Sequence, residues 1–215
     1  MFTTMHTDQL LTLVQWFSPS YPVGAFAYSH GLEWAVDARQ VTDRETLKAW
    51  LETVLRHGAG RTDALFLCAA HGAEDTSEVD ALARAFAPSA ERLRETVLQG
   101  EAFCRATRDV WGVDMPAMTY PVAVGRAARM HSLPLDQTLQ VFLHAFTSNL
   151  VAAGMRLIPL GQTDGQIVIK DLAAICIDIA DTAMKGSLED LSSTAFMSDI
   201  ASMKHETQYS RIFRT

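Results

Sequence analysis

Residues 135–150 read Leu-Asp-Gln-Thr-Leu-Gln-Val-Phe-Leu-His-Ala-Phe-Thr-Ser-Asn-Leu and decide the fold class. Their large apolar side chains recur every three or four positions, at Leu135, Leu139, Phe142, Leu143, Phe146 and Leu150. This spacing places them on one face of an α-helix, where they can pack together against a core. The stretch therefore predicts a long amphipathic helix.

Two other stretches have the same helical spacing. One face of a predicted helix is lined by Leu47, Trp50, Leu51, Val54 and Leu55, and another by Val168, Leu172, Ile175, Ile179 and Ala183. The β-branched residues 167–169 are typical of a strand. The helical period continues through them, so we assign them to the first turn of this second helix. Pro159 and Gly161 predict a break before it.

Boundary signals predict about seven to ten helices. Thr42 and Glu45 have the spacing of a capping box, which marks a helix start, and Gly58 and Gly60 offer a stop. Further helices are predicted over residues 63–71, from Ser77 towards Pro88, over 89–111 and over 121–130. Sustained period-two alternation is absent from the sequence. We therefore expect an all-α fold, a single-domain helical bundle spanning residues 1–215.

Composition and charge exclude several classes of protein. The chain has 215 residues, 48% of them hydrophobic, and a formal net charge of −7. These values are ordinary for one globular domain, whereas a nucleic-acid binder needs a basic surface. Negative charge also disfavours docking on an anionic membrane, and the apolar stretches 150–160 and 172–180 are too short to span one. We expect no nucleic-acid or membrane partner.

The cysteines and the first residues indicate a reducing compartment. The chain has three cysteines, an odd number without a paired spacing, so a disulfide framework or thiolate metal site is not expected. Residues 1–17 lack the pattern of a secretory signal. We predict buried, reduced thiols and a cytoplasmic location.

The sequence lacks the motifs that carry common chemistry. It has no P-loop, no Gly-x-Gly-x-x-Gly, no His-Glu-x-x-His and no Gly-x-Ser-x-Gly. Among its seven histidines, none lies three or four residues from another, as a bundle metal site would need. Asp178 and Asp181 share a helix face but are too few ligands for a cation. We predict no catalytic residue, metal ligand or cofactor; a metalloenzyme whose ligands meet only on folding is the alternative.

Residues 18–33 do not fit the pattern of a core helix. Pro19 and Pro22 oppose an early helix, and Gly24 permits a turn. Aromatic and polar groups follow, on what we expect to be the opening turns of a helix. Two interpretations stay open, a partner contact and an ordinary loop-to-helix junction. The contact residues would be Tyr21, Pro22, Gly24, Phe26, Tyr28, His30 and Glu33.

The C-terminal tail, residues 204–215, is the second unusual segment. If it is helical, Tyr209, Ile212 and Phe213 form a short apolar stripe. Aromatic and arginine side chains dominate binding hot spots, whereas chain ends are usually polar. Docking on a partner and packing on the chain's own domain both fit this pattern. The predicted contact residues are Glu206, Tyr209, Arg211, Phe213 and Arg214.

Read together, four separated blocks resemble the UreF family of urease accessory proteins. The blocks are residues 18–33, 120–125 (Tyr-Pro-Val-Ala-Val-Gly), 160–166 (Leu-Gly-Gln-Thr-Asp-Gly-Gln) and 205–214 (His-Glu-Thr-Gln-Tyr-Ser-Arg-Ile-Phe-Arg), in the family's order. The resemblance covers nearly the whole chain. It departs at Ala25 and Ala27, where more Gly or Ser is expected.

The resemblance implies an all-α accessory protein that is not an enzyme. Members of this family bind UreD, called UreH in some bacteria, and form homodimers. They recruit the nickel-carrying GTPase UreG to the urease apoprotein and couple GTP hydrolysis to nickel delivery. The resemblance associates residues 21–33 and 206–214 with partner binding, so deletion of residues 204–215 is predicted to abolish UreD binding without unfolding the domain. A purely structural dimerisation module is a further alternative.

Overall fold

The computed structural model describes residues 6–214, which contain ten α-helices and no β-strand. This confirms the predicted all-α fold. Residues 1–5 and Thr215, the two ends of the predicted domain and tail, lie outside the described residues. The helices are α1 (Thr7–Trp16), α2 (Leu32–Asp37), α3 (Arg44–His57), α4 (Ala59–Gly72), α5 (Ser77–Ala85), α6 (Ala90–Trp111), α7 (Tyr120–Met130), α8 (Leu135–Leu157), α9 (Gln162–Ala183) and α10 (Phe196–His205), with short 3₁₀ turns at Ala25–Ala27 and Leu188–Asp190.

The predicted stripe of residues 135–150 lies on α8 and faces the core. Its buried members are Leu139, Phe142, Leu143 and Leu150. α8 packs against α9, whose stripe from Val168 to Ala183 is also buried. The break at Pro159 and Gly161 is confirmed, since α8 ends at Leu157 and α9 begins at Gln162. Residues 167–169 are helical as predicted, but they lie in the second turn because α9 begins before them.

Helices α4 and α7 approach each other closely at Gly125. A Cβ atom added at Gly125 of α7 would collide with the backbone oxygen of Leu67 and lie 3.0 Å from Ala70 Cβ on α4. The neighbouring positions Ala123, Ala127 and Ala128 are small and fully buried. The helix predicted over residues 121–130 is confirmed. It packs tightly on α4, because only small side chains let two helix backbones come this near.

The predicted capping box at Thr42 and Glu45 is wrong by one residue. Asp43 is the N-cap of α3, and its Oδ1 accepts a hydrogen bond from Thr46 N–H at 2.9 Å. Thr46 Oγ1 in turn accepts from Asp43 N–H at 3.1 Å. A carboxylate accepts amide hydrogens at a helix start more strongly than a hydroxyl does, so Asp43 displaces Thr42. Glu45 instead pairs with Arg44.

The helix predicted over residues 63–71 begins earlier, at Ala59. Gly58 ends α3, as expected, but Gly60 lies inside α4 rather than at a stop. A Cβ at Gly60 would lie 2.7 Å from Leu55 Cα. Gly60 therefore lets the chain reverse directly from α3 into α4 with almost no loop.

The start of α2 is later than the sequence predicted. Phe26 lies in the 3₁₀ turn, while Tyr28 and His30 precede α2, so only Glu33 among these residues is helical. His30 and Gly31 adopt left-handed φ values of 54° and 76°, and such residues do not continue a right-handed helix. A Cβ at Gly31 would lie 2.5 Å from Ser202 N, so this glycine lets α10 pack directly against the start of α2.

Candidate partner-binding surface

The C-terminal tail after α10 packs on its own domain, and a buried carboxylate binds two of its amides. Glu33 Oε1 accepts a hydrogen bond from Ile212 N–H at 2.6 Å, and Glu33 Oε2 accepts from Phe213 N–H at 2.9 Å. The Glu33 side chain is only 6% exposed. Hydrogen bonds to a buried charge are stronger than neutral ones, so Glu33 fixes the path of the tail.

His205 links Glu33 to the rest of the tail. Its Nε2 lies 3.1 Å from Glu33 Oε2, and its Nδ1 lies 2.7 Å from Glu91 Oε2. Glu91 also binds Arg211, with Oε1 2.7 Å from the guanidinium NH1. These four side chains form a continuous series of polar contacts from α2 through α10 and α6 to the tail.

The end of the tail is anchored by Phe213, which is 5% exposed. The guanidinium carbon of Arg156 lies 4.6 Å from the centre of the Phe213 ring, a cation–π distance. Arg156 also donates to the backbone oxygen of Phe26 at 3.0 Å, and Arg214 N–H donates to the backbone oxygen of Ala27 at 2.8 Å. The tail therefore packs on residues 26–33, the other unusual segment of the sequence.

Beyond His205 the tail is not helical, so the helical stripe of Tyr209, Ile212 and Phe213 does not form. α10 ends at His205, and the following residues form turns. Phe213 is buried as a result, whereas Tyr209 is fully exposed and Ile212 is 73% exposed. The hydrogen bonds from Ile212 and Phe213 to Glu33 are incompatible with an intrahelical pattern. Glu206 caps α6, where its Oε1 accepts from Ala90 N–H at 2.9 Å.

In the N-terminal segment, most of the predicted contact residues are buried. Tyr21 packs among Phe103 and Trp111, and its hydroxyl lies 3.1 Å from Thr107 Oγ1. Tyr28 is also buried, and its side chain hydrogen-bonds that of Arg214 in the tail. The exposed members are Pro22 and Phe26, and Gly24 has a left-handed φ of 74°. Partner contact by this segment stays a prediction, and two of its buried side chains, Tyr28 and Glu33, contact the tail instead.

His30 belongs to a charged cluster inside the bundle. Its Nε2 lies 2.7 Å from Glu95 Oε1, and Arg92 NH1 lies 2.6 Å from the other Glu95 oxygen. Burial would raise the pKa of Glu95, but Arg92 and His30 outweigh it and bring that pKa down to about 2. Burial lowers the pKa of His30, and Arg92 adds to this effect. The same Nε2 atom of His30 also lies 3.1 Å from Arg92 NH1.

Asp63 is the fourth member of this cluster and behaves differently. Its Oδ2 lies 3.7 Å from Arg92 NH2, too far for a close ion pair. Burial raises the pKa of Asp63 to about 6, Arg92 opposes this, and Glu95 adds to it. The cluster holds the side chain of His30 inside the bundle, where it is buried.

The sequence analysis did not identify the exposed apolar face of α10. Phe196, Met197, Ile200 and Met203 are all exposed by 42% or more, while the opposite face, with Ala201, Ser202 and His205, is buried against α2 and α6. The available signal was the helical spacing of these apolar residues. Helical spacing by itself would assign the large apolar residues to the core. In α10 the small residues face the core instead, because Gly31 lets α10 pack closely against the start of α2.

The three cysteines are free thiols, and one member of the aspartate pair is engaged in an ion pair. Cys104 and Cys176 are buried and Cys68 is partly buried, all three as free thiols. Asp178 is engaged by Arg56 at 2.7 Å. Within residues 6–214, no group of three or more His, Cys, Asp or Glu side chains is arranged to hold a metal ion. In the same part of the chain, no helix combines the length and apolar character needed to cross a membrane.

Comparison with known proteins decides the family. The UreF family model matches residues 41–173. The urease accessory protein UreF of Ruegeria pomeroyi is 58% identical over 210 residues, which cover 96% of this chain and 97% of that protein. The chain belongs to the UreF family. The UreF proteins of Ruegeria sp. strain TM1040 and Roseobacter denitrificans are 54% and 51% identical, each over 98% of this chain.

Membership of the UreF family confirms the resemblance drawn from the four sequence blocks. The residues matched by the UreF model run from the loop before α3 into α9. The tail and residues 18–33 lie outside that match, at the opposite ends of the chain, and the fold brings them together through Glu33, Ala27 and Phe26.

Proposed function

We propose that this chain is a urease accessory subunit that binds UreD and recruits the GTPase UreG to the urease apoprotein, where GTP hydrolysis is coupled to nickel delivery. It acts in the cytoplasm as a homodimer and has no catalytic centre of its own. The family and the accessory role of its relatives support this proposal. The main structural support is the docked tail. Its exposed residues Tyr209 and Ile212 come just after α10 in the chain, and α10 itself has an exposed apolar face.

The surface proposed to bind UreD consists of Phe196, Met197, Ile200, Met203, Tyr209 and Ile212, which we call the C-terminal apolar surface. All six side chains are exposed. Large apolar side chains that a monomer leaves in water are typical of protein–protein interfaces. Tyr209 and Ile212 are exposed on a tail that Glu33 holds in one path, so little ordering entropy is lost when a partner binds them.

Residues of the N-terminal segment act in this proposal mainly by positioning the tail. Glu33, the Ala27 carbonyl and the Tyr28 hydroxyl each bind the tail. Phe26 is 66% exposed and is the large side chain of this segment that remains available for direct contact. We infer that changes at Glu33 reduce partner binding indirectly, by releasing the tail.

Co-purification of UreD tests the proposal. The variants Ile212→Asp and Met203→Glu place a charge in the proposed interface, and we expect each to abolish capture of co-expressed UreD. The matched control is Ile177→Asp, at an exposed isoleucine of α9 outside this surface, which should capture UreD normally. Undiminished capture by both surface variants would show that UreD binds elsewhere or not at all.

Two further measurements separate the alternatives. Replacing Arg211 by alanine should impair GTP hydrolysis by UreG in the assembled complex, whereas a purely structural dimerisation module would leave that rate unchanged. The isolated protein should bind no nickel with submicromolar affinity in equilibrium dialysis. A stoichiometric metal in protein purified without chelators would favour the metalloenzyme instead.

A further inference from the structure

A groove of about 410 Å³ lies where α3, α4 and α9 meet. Its walls come from the end of α3, the first two turns of α4, the end of α9 and the loop that follows α9. None of its lining residues belongs to α10, to the tail or to residues 18–33. A volume of this size is typical of a small-molecule site. The charged lining residues are Arg56, His57, Arg61, Asp178, Lys185 and Asp190.

The loop after α9 forms a fixed wall of this groove. The N–H groups of Thr194 and Ala195 both donate to the backbone oxygen of His57, at 2.9 and 3.1 Å. Arg61 NH1 donates to Ser192 Oγ at 3.0 Å. The loop is therefore tied to the end of α3 and to the start of α4. A ligand would enter a groove that is already formed, so little ordering entropy is lost on binding.

Both acidic side chains of the groove have partners within the chain. Asp178 Oδ2 lies 2.7 Å from Arg56 NH1, so an arginine balances its charge. Asp190 Oδ2 accepts a hydrogen bond from Ser187 N–H at 2.8 Å, which closes the turn after α9. The charged groups of the groove that remain available to a ligand are therefore basic.

Two of these basic side chains, Arg61 and Lys185, have no acidic partner in residues 6–214. Arg61 hydrogen-bonds only the hydroxyl of Ser192, and no carboxylate lies within ion-pair distance of either side chain in that part of the chain. His57 is exposed at the same groove. The whole chain has a net charge of −7, so basic groups without acidic partners that face one groove indicate a site for an anion.

Arg61 occupies a position that its own helix disfavours. His57 ends α3 and Lys185 follows the end of α9, and basic groups at a helix C-terminus are stabilised by the helix dipole. Arg61 instead lies in the first turn of α4, where the positive end of the dipole repels a cation. Helix stability therefore accounts for His57 and Lys185 but not for Arg61. An anion bound beside Arg61 would offset this repulsion.

We propose that this groove binds a small phosphate monoester. Arg61 and Lys185 hold the phosphate, and His57 contributes a further donor. Guanidinium and ammonium groups both bind phosphate, which offers three acceptor oxygens to such separate donors. The organic part of the ligand packs on Leu65 and Ile179, which line the groove and are buried. This inference goes beyond the proposed function, because the groove includes no residue of the surface proposed to bind UreD.

An NMR titration of the isotope-labelled, full-length protein with phenyl phosphate tests this inference. We expect saturable shifts of the backbone amides of Arg61, Lys185 and Gly186, with a dissociation constant of about 1 mM or lower, as for a ligand of so few atoms. Inorganic phosphate should bind about tenfold more weakly, because it has no ring to cover apolar surface. Benzyl alcohol, which has the ring but no charge, should cause no saturable shift of these amides.

Substitutions of the two basic residues give the second part of the test. Arg61→Ala and Lys185→Ala should each weaken binding of phenyl phosphate by about tenfold, the effect of losing one charge-assisted hydrogen bond. The matched control is Lys170→Ala, at an exposed lysine of α9 about two turns before the first lining residue of that helix. Ser192→Ala is a second control, because it unties Arg61 from the loop and leaves the charge of Arg61 in place.

Binding that requires both Arg61 and Lys185, and that survives the changes at Lys170 and Ser192, supports the proposal. The absence of saturable shifts at the groove overturns it, as do shifts confined to another surface or equal binding by the Arg61 variant. Equal loss of binding in the Ser192 variant also overturns it, because Arg61 would then act through the loop and not on the phosphate. The titration contains no urease protein, so a failure of UreD capture would not alter this result.

Discussion

Glu33 Oε2 accepts the backbone hydrogen of Phe213 at 2.9 Å, although the two residues lie 180 positions apart in the chain. Its other oxygen accepts from Ile212, and His205 completes the set of partners. The carboxylate of Glu33 on α2 thus fixes two consecutive amides of the tail, in addition to the contacts that Phe213 and Arg214 make. The account of function depends on this contact, because it decides which tail side chains face the solvent.

Replacing Glu33 by glutamine should release the tail. Both carboxylate oxygens of Glu33 are acceptors, so the amide NH₂ of glutamine must face at least one donor. Losing such a buried, charge-assisted hydrogen bond costs about 1.5–3 kcal/mol. We expect the Phe213 amide to exchange its hydrogen roughly tenfold to a hundredfold faster, measured by hydrogen–deuterium exchange with mass spectrometry.

The matched control for this change is Glu101→Gln, at an exposed glutamate of α6. It alters the net charge equally and should leave the exchange of the tail unchanged. If the Glu33 variant protected the Phe213 amide as well as the unmodified chain does, the tail would be held by other contacts and this role of Glu33 would be wrong.

Gly31→Ala should destabilise the protein more than Gly24→Ala. Both glycines have left-handed φ values, 76° and 74°, which cost a residue with a Cβ about 1–2 kcal/mol. At Gly31 the new Cβ would also lie 2.5 Å from Ser202 N, whereas at Gly24 nothing lies within 4 Å. The overlap adds roughly 1–3 kcal/mol. Urea unfolding of the two variants measures this difference; equal losses would contradict the close approach of α10.

Asp63→Asn should change the pH dependence of stability. Burial raises the pKa of Asp63 to about 6, from 3.8 for a free carboxyl. The folded state therefore binds more protons between these values, and the contribution of Asp63 to stability falls as the pH rises from about 4 to about 6. The free energy of unfolding of the variant, relative to the unmodified chain, should rise over this window and stay level above it.

The control for that experiment is Asp114→Asn, at an exposed aspartate in the loop after α6. It removes one negative charge without touching the buried cluster. Unfolding curves recorded at several pH values give the comparison, and a constant difference between the Asp63 variant and the unmodified chain from pH 4 to pH 7 would contradict the assignment.

The thiols should resist alkylation in the folded protein. Burial raises the pKa of Cys68 to about 12 and that of Cys104 to about 11, and only the thiolate reacts at a useful rate. We expect iodoacetamide at pH 8 to modify the native protein at least tenfold more slowly than the urea-unfolded chain. Rapid labelling of native Cys68 would show that the region around α4 opens readily.

The fold was predictable because its signals are local. The stripes on α8 and α9 and the small residues of α7 each reveal a buried face within one or two helical turns. The start of α3 was displaced by one residue because Asp43 competes with Thr42 for the same amide hydrogens. Which side chain wins this competition depends on three-dimensional geometry, and the spacing of residues in the sequence does not reveal it.

The candidate surface was only partly predictable because it depends on contacts between distant residues. Tyr209 and Phe213 look alike in the sequence, yet one is exposed and the other is buried under Arg156. The sequence suggested His30 as a partner-contact residue, but in the fold its ring pairs with the buried Glu95. The exposed face of α10 was missed because apolar periodicity does not distinguish a core face from an interface.

The most direct test of the central claim is the affinity of purified UreD for this chain truncated after Glu206. The truncation retains His205 and the cap that Glu206 places on α6, so circular dichroism should show an intact helical domain. We predict that the dissociation constant rises by on the order of a hundredfold or more, because the aromatic and arginine side chains of the tail are lost. An unchanged dissociation constant with the helical domain intact would contradict the claim that the tail presents this chain to its partner.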